Sequence, residues 1–159
     1  TGVVCFYFIL FYNYRITDIQ CALGLSQLKQ NETFVKRRRE IAKYYNKGFQ
    51  DNCLIKTPSE QKNVKHAYHL YTIQIDFNIL GKSRNRVMKE LRDLNIGTQV
   101  LYIPVHLQPY YAKKYGYKFG DFPFSEAYYK KCLSIPMFPN LKDTEVDYVI
   151  EKVNAVIFQ

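Results

Sequence analysis

The spacing of apolar residues along the chain predicts a series of amphipathic helices. Thr17 begins a capping box, because a Thr side chain accepts a hydrogen bond from the helix while Gln20, three residues on, returns one. Apolar residues then recur every three or four positions, which is the period of a helix with one buried face. The same period predicts further helices over about residues 32–48, 83–95, 125–134 and 144–157.

Two segments are predicted to be strands. Residues 69–77 alternate between apolar and polar positions, which is typical of a strand with one buried face. Residues 99–103 form the second predicted strand, and Pro104 ends it because proline has no N–H to donate to a ladder. The polar stretch 51–65 is predicted to be a loop, and 105–117 an aromatic loop with a short helix.

The predicted order is helix, helix, strand, helix, strand, helix, helix, without an internal repeat. This order indicates an α+β fold in which helices cover a small sheet. The 159 residues fit one domain, and the 47% hydrophobic content excludes wholesale disorder. Aromatic residues are abundant, with 15 Tyr and 11 Phe, so many rings should lie half-buried at surfaces or interfaces.

The chain is basic, with 23 Lys and Arg against 14 Asp and Glu and a formal net charge of +9. Such a charge favours anionic partners, namely nucleic acid, acidic lipid or phosphorylated small molecules. The densest basic run is 36–39, whose side chains would fan around a helix and make no single stripe. We interpret this run as a solvated helix face. A basic module that binds nucleic acid or another anion is the alternative.

The four cysteines, Cys5, Cys21, Cys53 and Cys132, form no CxxC pair and have no zinc spacing. Cys21 and Cys132 lie in apolar helical patterns and are predicted to be buried free thiols, which suits a cytoplasmic protein. The apolar run 3–12 is shorter than the roughly 20 residues of a membrane span. We therefore predict no metal site and no membrane insertion.

The residues offer few groups for catalysis. No nucleophile motif and no glycine-rich phosphate loop is present in the sequence. His106 lies in a rigid loop between Pro104 and Pro109, and it reads either as a ligand-binding group or as a structural histidine. Asn13 and Arg15 precede a helix N-terminus, where they could bind an anion such as phosphate or simply form a turn and a cap.

The segment 12–28, YNYRITDIQCALGLSQL, resembles the stretch GYNYRxTDxQxALGLSQL of the DegT/StrS family of PLP-dependent nucleotide-sugar aminotransferases. The resemblance continues in order to about residue 157, and within the family the run 104–111 is most similar to members of the pseudaminic acid pathway. The other matching segments are KRRREIA at 36–42, HAYHLY at 66–71, GTQV at 97–100, YIPVHLQPYY at 102–111 and SIPMFP at 134–139.

The resemblance implies the C-terminal part of a fold-type-I aminotransferase, namely its small α+β domain and the helix that joins this domain to the large one. In such homodimeric enzymes a large-domain lysine forms a Schiff base with pyridoxal 5'-phosphate (PLP). L-Glutamate supplies the amino group, and C4 of a UDP-4-keto-6-deoxy sugar receives it. That lysine lies upstream of the Asn-Tyr-Arg motif in the family. The resemblance therefore implies no catalytic residue in these 159 residues, and we expect the chain alone to be inactive.

Five residues match positions with a role in the family. Asn13 matches an asparagine that reaches across the dimer to the PLP phosphate, and Arg15 matches the neighbouring anion contact. Gln99, Tyr102 and His106 match the segment that lines the sugar-nucleotide pocket. These assignments are implied by the resemblance alone.

Phe11 and Leu101 depart from the family, which has Gly and often His at these positions. The resemblance divides the chain into an atypical apolar segment (1–11), a long helical connection (12–50) and the small domain (51–159). A family member with another sugar substrate, or with a regulatory role, is the second alternative.

Overall fold

The structure is a computed structural model that describes residues 15–158. The chain divides into two compact units, Thr1–Thr33 and Phe34–Gln159. The predictions made for Asn13, Phe11 and the apolar segment 1–11 lie outside the described residues. The three-part division by resemblance stays a prediction.

Helices form where the apolar period predicted them, with one short helix in addition. Thr17 and Gln20 make the predicted capping box, since the Gln20 N–H donates to Thr17 Oγ1 (3.3 Å) and the Thr17 N–H donates to Gln20 Oε1 (2.9 Å). Asp76 caps the additional helix, α3. The helices are α1 (Asp18–Leu28), α2 (Asn31–Phe49), α3 (Phe77–Leu80), α4 (Arg84–Asp93), α5 (Pro109–Tyr115), α6 (Pro123–Lys131) and α7 (Asp143–Phe158).

The described residues contain a three-stranded antiparallel sheet in the order β1-β2-β3, which confirms the predicted α+β class. The strands are β1 (Ile55–Lys56), β2 (Tyr71–Ile75) and β3 (Cys132–Ile135). Ile73 lies opposite Leu133 in the register, and Thr72 lies opposite Ser134. Directly opposite residues share a face, so Leu133 belongs to the buried face that the alternation of β2 predicted.

Several of the sequence-based boundaries are wrong. The predicted strand 69–77 is limited to Tyr71–Ile75, because Asp76 caps α3 and Phe77 begins it. The predicted strand 99–103 makes only one isolated bridge, between Gln99 and Ser134, and then leaves the sheet with Tyr102 75% exposed. The predicted helix 125–134 ends at Lys131, because the next four residues are all buried and pair with β2. The predicted loop 51–65 contains the two-residue edge strand β1.

The core of the second unit lies between one face of the sheet and the helices α2, α4 and α7. Its members are apolar and almost fully buried. Gly48 is required in α2, because a Cβ there would lie 2.6 Å from the side chain of Ile150 in α7. The largest fully buried side chains are Tyr45, Tyr71, Phe49, Ile41, Ile73, Ile75, Leu91, Leu133, Ile157, Val87, Val146 and Val153.

Helix α1 in the first unit contains no buried residue among those described. Its apolar side chains are exposed, with Ile19 83% and Leu23 62% accessible. Cys21 on the same helix is only partly buried, which corrects the prediction of a buried thiol, whereas Cys132 in β3 is buried. An apolar helix of this kind is typical of a segment that packs against another part of an assembly.

Candidate functional site

One cleft of the second unit, here called the larger cleft, has a volume of about 850 Å³ and a mainly apolar lining. Its walls come from the loop 95–99, from the end of β3 with the residues that follow, and from the first half of α7. Gln99 is the sequence-predicted site residue that lines this cleft. Its backbone is held there because its N–H donates to the Ser134 carbonyl (3.1 Å) and its carbonyl accepts from the Ser134 N–H (2.8 Å).

His106 lines a second, smaller cleft of about 290 Å³. It lies in a 3₁₀ turn over Val105–Leu107, and only 7% of its surface is exposed. Its Nε2 is 2.9 Å from Oε1 of Glu126, a carboxylate that is itself only 4% exposed. One side of the His106 ring is therefore held within the fold by Glu126.

The Glu126 carboxylate accepts hydrogen bonds from backbone N–H groups in the loop before α6. Gly120 N–H donates to both carboxylate oxygens (2.8 and 3.0 Å), and Phe122 N–H donates to Oε1 (3.3 Å). The sequence did not identify Glu126, because a Glu in the first turn of a helix is commonly a solvent-exposed partner of the helix dipole. Only the path of the loop brings the carboxylate to His106.

The donors around Glu126 determine its ionisation. Burial alone raises the pKa of Glu126, but hydrogen bonds from Gly120, His106 and Phe122 outweigh burial and lower the pKa below the ordinary value of 4.5. A carboxyl whose pKa is lowered in the folded state stabilises that state above its unfolded pKa, and this contribution disappears as the pH falls through the folded pKa.

A pH titration of stability checks this ionisation. We expect wild type to have a higher Tm than Glu126→Gln at neutral pH, and the difference to shrink as the pH falls below about 4.5. Thermal melts of both proteins over this range give the measurement. Glu151→Gln, in an ion pair on α7 with a carboxylate that is 68% exposed, provides a control for general acid effects. A difference in Tm that does not depend on pH would contradict the ionised assignment.

Aromatic rings form a continuous path from α5 to His106. Tyr111 stacks on Tyr115 with 6.2 Å between ring centroids, and Tyr115 lies 5.7 Å from Tyr117. Phe122 then contacts both Tyr117 (5.4 Å) and His106 (4.6 Å). This path accounts for part of the aromatic excess, and it supplies the walls of the smaller cleft.

The remaining predicted site residues lie elsewhere. Tyr102 lines neither of the two clefts, and Arg15 is exposed in the first unit, two residues before the cap of α1. Asn13 lies outside the described residues. The structure therefore does not gather Gln99, Tyr102 and His106 into one cleft, and their assignment as substrate contacts remains a prediction.

The three arginines of the basic run in α2 do not form the solvated face predicted from the sequence, whereas Lys36 is exposed. Arg37 pairs with Asp143 (2.7 Å), and Arg39 pairs with both carboxylate oxygens of Glu60 (2.6 and 3.1 Å). Arg38 donates to the backbone carbonyls of distant segments. These guanidinium groups are used inside the fold, so the run does not support the nucleic-acid alternative.

No group of His, Cys, Asp or Glu side chains among the described residues could hold a metal ion. In the same part of the chain no helix is long and apolar enough to cross a membrane. No lysine lines either of the two clefts described above.

Comparison with known proteins identifies relatives over nearly the whole chain. The model of the DegT/DnrJ/EryC1/StrS aminotransferase family matches residues 5–154. The spore coat polysaccharide biosynthesis protein SpsC of Bacillus subtilis is 44% identical over 147 residues, which are 92% of this chain and 38% of SpsC. A GDP-perosamine synthase of Escherichia coli is 35% identical over 143 residues, which are 90% of this chain and 37% of that enzyme.

Solved structures agree with these relatives. PseC of Helicobacter pylori, an aminotransferase involved in the biosynthesis of pseudaminic acid, has a TM-score of 0.83 at 26% identity, over 92% of this chain and 39% of PseC. Spr1654 of Streptococcus pneumoniae, solved in its PLP form, has a TM-score of 0.80 at 31% identity, over 90% of this chain and 36% of that chain. The chain thus spans less than two-fifths of the length of each of these proteins.

Proposed function

Because this chain belongs to the DegT/DnrJ/EryC1/StrS aminotransferase family, we propose that it is the C-terminal part of a PLP-dependent sugar-nucleotide aminotransferase. The enzyme would transfer the amino group of L-glutamate to C4 of a UDP-4-keto-6-deoxy sugar, as in the pseudaminic acid pathway. The observation that carries this proposal is the family match over residues 5–154, together with an α+β fold shared with solved aminotransferases.

In this proposal the chain contributes binding groups, and the lysine that forms the Schiff base with PLP lies in the large domain. Gln99, Tyr102 and His106 would contact the sugar nucleotide, while Asn13 and Arg15 would contact the PLP phosphate across a homodimer. The proposal is supported at Gln99 by the backbone bridge that fixes this residue at the rim of the larger cleft. The free thiols of Cys53 and Cys132 suit a cytoplasmic enzyme.

The identity of the sugar is the finer part of the proposal. The similarity of residues 104–111 to members of the pseudaminic acid pathway and the likeness to PseC both favour a UDP sugar. The likeness to a GDP-perosamine synthase favours the alternative of another nucleotide sugar. The two alternatives differ in the nucleotide, so a single substrate comparison separates them.

Turnover assays test the proposed function. Supplied with PLP, L-glutamate and a UDP-4-keto-6-deoxy sugar, the 159-residue chain alone should give no aminated product above a protein-free control. The expected reason is that the Schiff-base lysine of the family lies upstream of the Asn-Tyr-Arg motif, as the resemblance implies. Product is measured by mass spectrometry, because surface lysines form Schiff bases with PLP without catalysis. Turnover by the chain alone would contradict the assignment of the Schiff-base lysine to the large domain.

The complementary assay uses the whole open reading frame that contains these codons. We expect its product to aminate the UDP sugar in the presence of PLP and L-glutamate, at least tenfold faster than the GDP analogue. A preference for the GDP analogue would support the alternative sugar. A purified, PLP-loaded product that is inactive with both would contradict the proposed function.

A further inference from the structure

The His106–Glu126 pair fixes where the imidazole proton lies. Glu126 accepts hydrogen bonds from two backbone N–H groups, so its carboxylate is ionised at neutral pH and can only accept. The 2.9 Å bond between Glu126 Oε1 and His106 Nε2 must then carry its proton on the histidine. In the neutral imidazole this leaves the lone pair on Nδ1.

The other nitrogen of His106 is open. In the part of the chain that the structure describes, every buried side-chain nitrogen or oxygen has a hydrogen-bond partner. Among the described residues Nδ1 of His106 has no hydrogen-bond partner, so it is not one of the buried atoms and is accessible although the residue as a whole is 93% covered. A buried histidine with one nitrogen anchored and the other accessible is suited to accepting a hydrogen bond from a ligand.

The smaller cleft indicates what kind of ligand group this would be. Its lining contains three aromatic rings, Val105, His106 and Ser125, and no lysine or arginine. A phosphate group would find no cation among these residues, whereas the apolar face of a neutral ring packs well on aromatic side chains. The volume of about 290 Å³ suits one ring of a ligand and not a whole sugar nucleotide.

We propose that Glu126 is a positioning residue, which anchors His106 through Nε2–H and thereby presents Nδ1 as an acceptor to a hydroxyl or amide N–H group of the sugar ring. This inference rests on the proposed function for its ligand, but the tautomer of His106 does not depend on turnover. Glu126 would act through His106 and would not itself contact the substrate.

The tautomer is measured by NMR on the complete enzyme labelled with ¹⁵N-histidine, with His106 assigned from its missing signals in His106→Asn. At mildly alkaline pH we expect a protonated Nε2 and an unprotonated Nδ1 in wild type. In Glu126→Ala, which removes the acceptor, we expect a mixture of both tautomers. A wild-type His106 protonated on Nδ1, or already a mixture of tautomers, would overturn the proposal even if the enzyme were fully active.

Kinetics distinguish positioning from a merely structural role. Glu126→Ala should raise KM for the keto sugar by roughly five- to tenfold, the effect of one hydrogen bond, because the unanchored ring loses its orientation as well as its single tautomer. It should leave KM for glutamate unchanged and kcat within about twofold. Glu151→Gln on α7, whose carboxylate is 68% exposed in an ion pair with Lys152, is the matched control and should change none of these values.

The double variant completes the test. His106→Asn should raise the same KM by a similar factor, and adding Glu126→Ala to it should give little further increase because the two residues act as one unit. His106→Asn keeps Glu126 and its backbone donors, so it still tests the expected rise in KM for the sugar if Glu126→Ala does not fold. An unchanged sugar KM in both variants, or a parallel loss in kcat and in both KM values, would refute the positioning role.

Discussion

Replacing Leu133 with alanine should lower the free energy of unfolding by about 3 kcal/mol. Leu133 is fully buried at the centre of β3, opposite the fully buried Ile73 in β2. Its removal leaves a cavity between the sheet and the helices, and the neighbouring strands cannot collapse into it without losing their hydrogen bonds. Urea denaturation of the chain followed by circular dichroism measures the change.

A matched control separates the effect of the cavity on stability from the effect of removing any leucine side chain. Leu70 lies just before β2 and is 39% exposed, so Leu70→Ala should cost less than about 1 kcal/mol. Equal losses for the two variants would contradict the burial of β3. A Leu133→Ala, Ile73→Val double variant tests the pairing of the two strands. We expect its loss of stability to differ from the sum of the two single losses by at least about 0.5 kcal/mol. If residues 132–135 instead continued helix α6, Leu133 would not face Ile73 and the two losses would be additive.

The sequence could not distinguish this strand from the end of a helix. A short apolar run after Lys131 satisfies both patterns, and periodicity separates them only over longer windows. What makes 132–135 a strand is its pairing with residues about 60 positions earlier, since Tyr71 lies opposite Ile135. Conversely, α7 and β2 were predictable because each has a long, regular pattern with a single buried face.

The same distinction applies to the candidate site. His106 stood out in the sequence because two prolines and a preceding apolar segment define its loop locally. Glu126, 20 residues later, could not be paired with it, because the contact depends on how the loop with Gly120 folds back. Gly120 has a φ of +100°, a conformation that favours glycine, and its N–H bonds to Glu126 in this position.

Replacing Arg38 with alanine should lower the free energy of unfolding by about 1.5–3 kcal/mol, the range for hydrogen bonds to a charged group. Arg38 Nη1 donates to the carbonyls of Tyr68 (3.1 Å), His69 (2.9 Å) and Met137 (3.3 Å). Tyr68 has a φ of +46°, which is unfavourable for a bulky residue, so its conformation depends on contacts such as this one. One guanidinium therefore joins α2 to the segments before β2 and after β3.

Two variants show whether these hydrogen bonds are the source of the effect. Arg38→Met keeps most of the apolar stem and removes the donor, so it should lose nearly as much stability as Arg38→Ala. Lys36→Ala, two residues away on an exposed part of the same helix, should change stability by less than about 0.5 kcal/mol. Near wild-type stability in Arg38→Met would show that packing and not hydrogen bonding matters. Residue type alone predicted a solvated face for both Lys36 and Arg38. The sequence could not show that Arg38 differs, because the carbonyls that it binds are 30 to 99 residues away in the sequence.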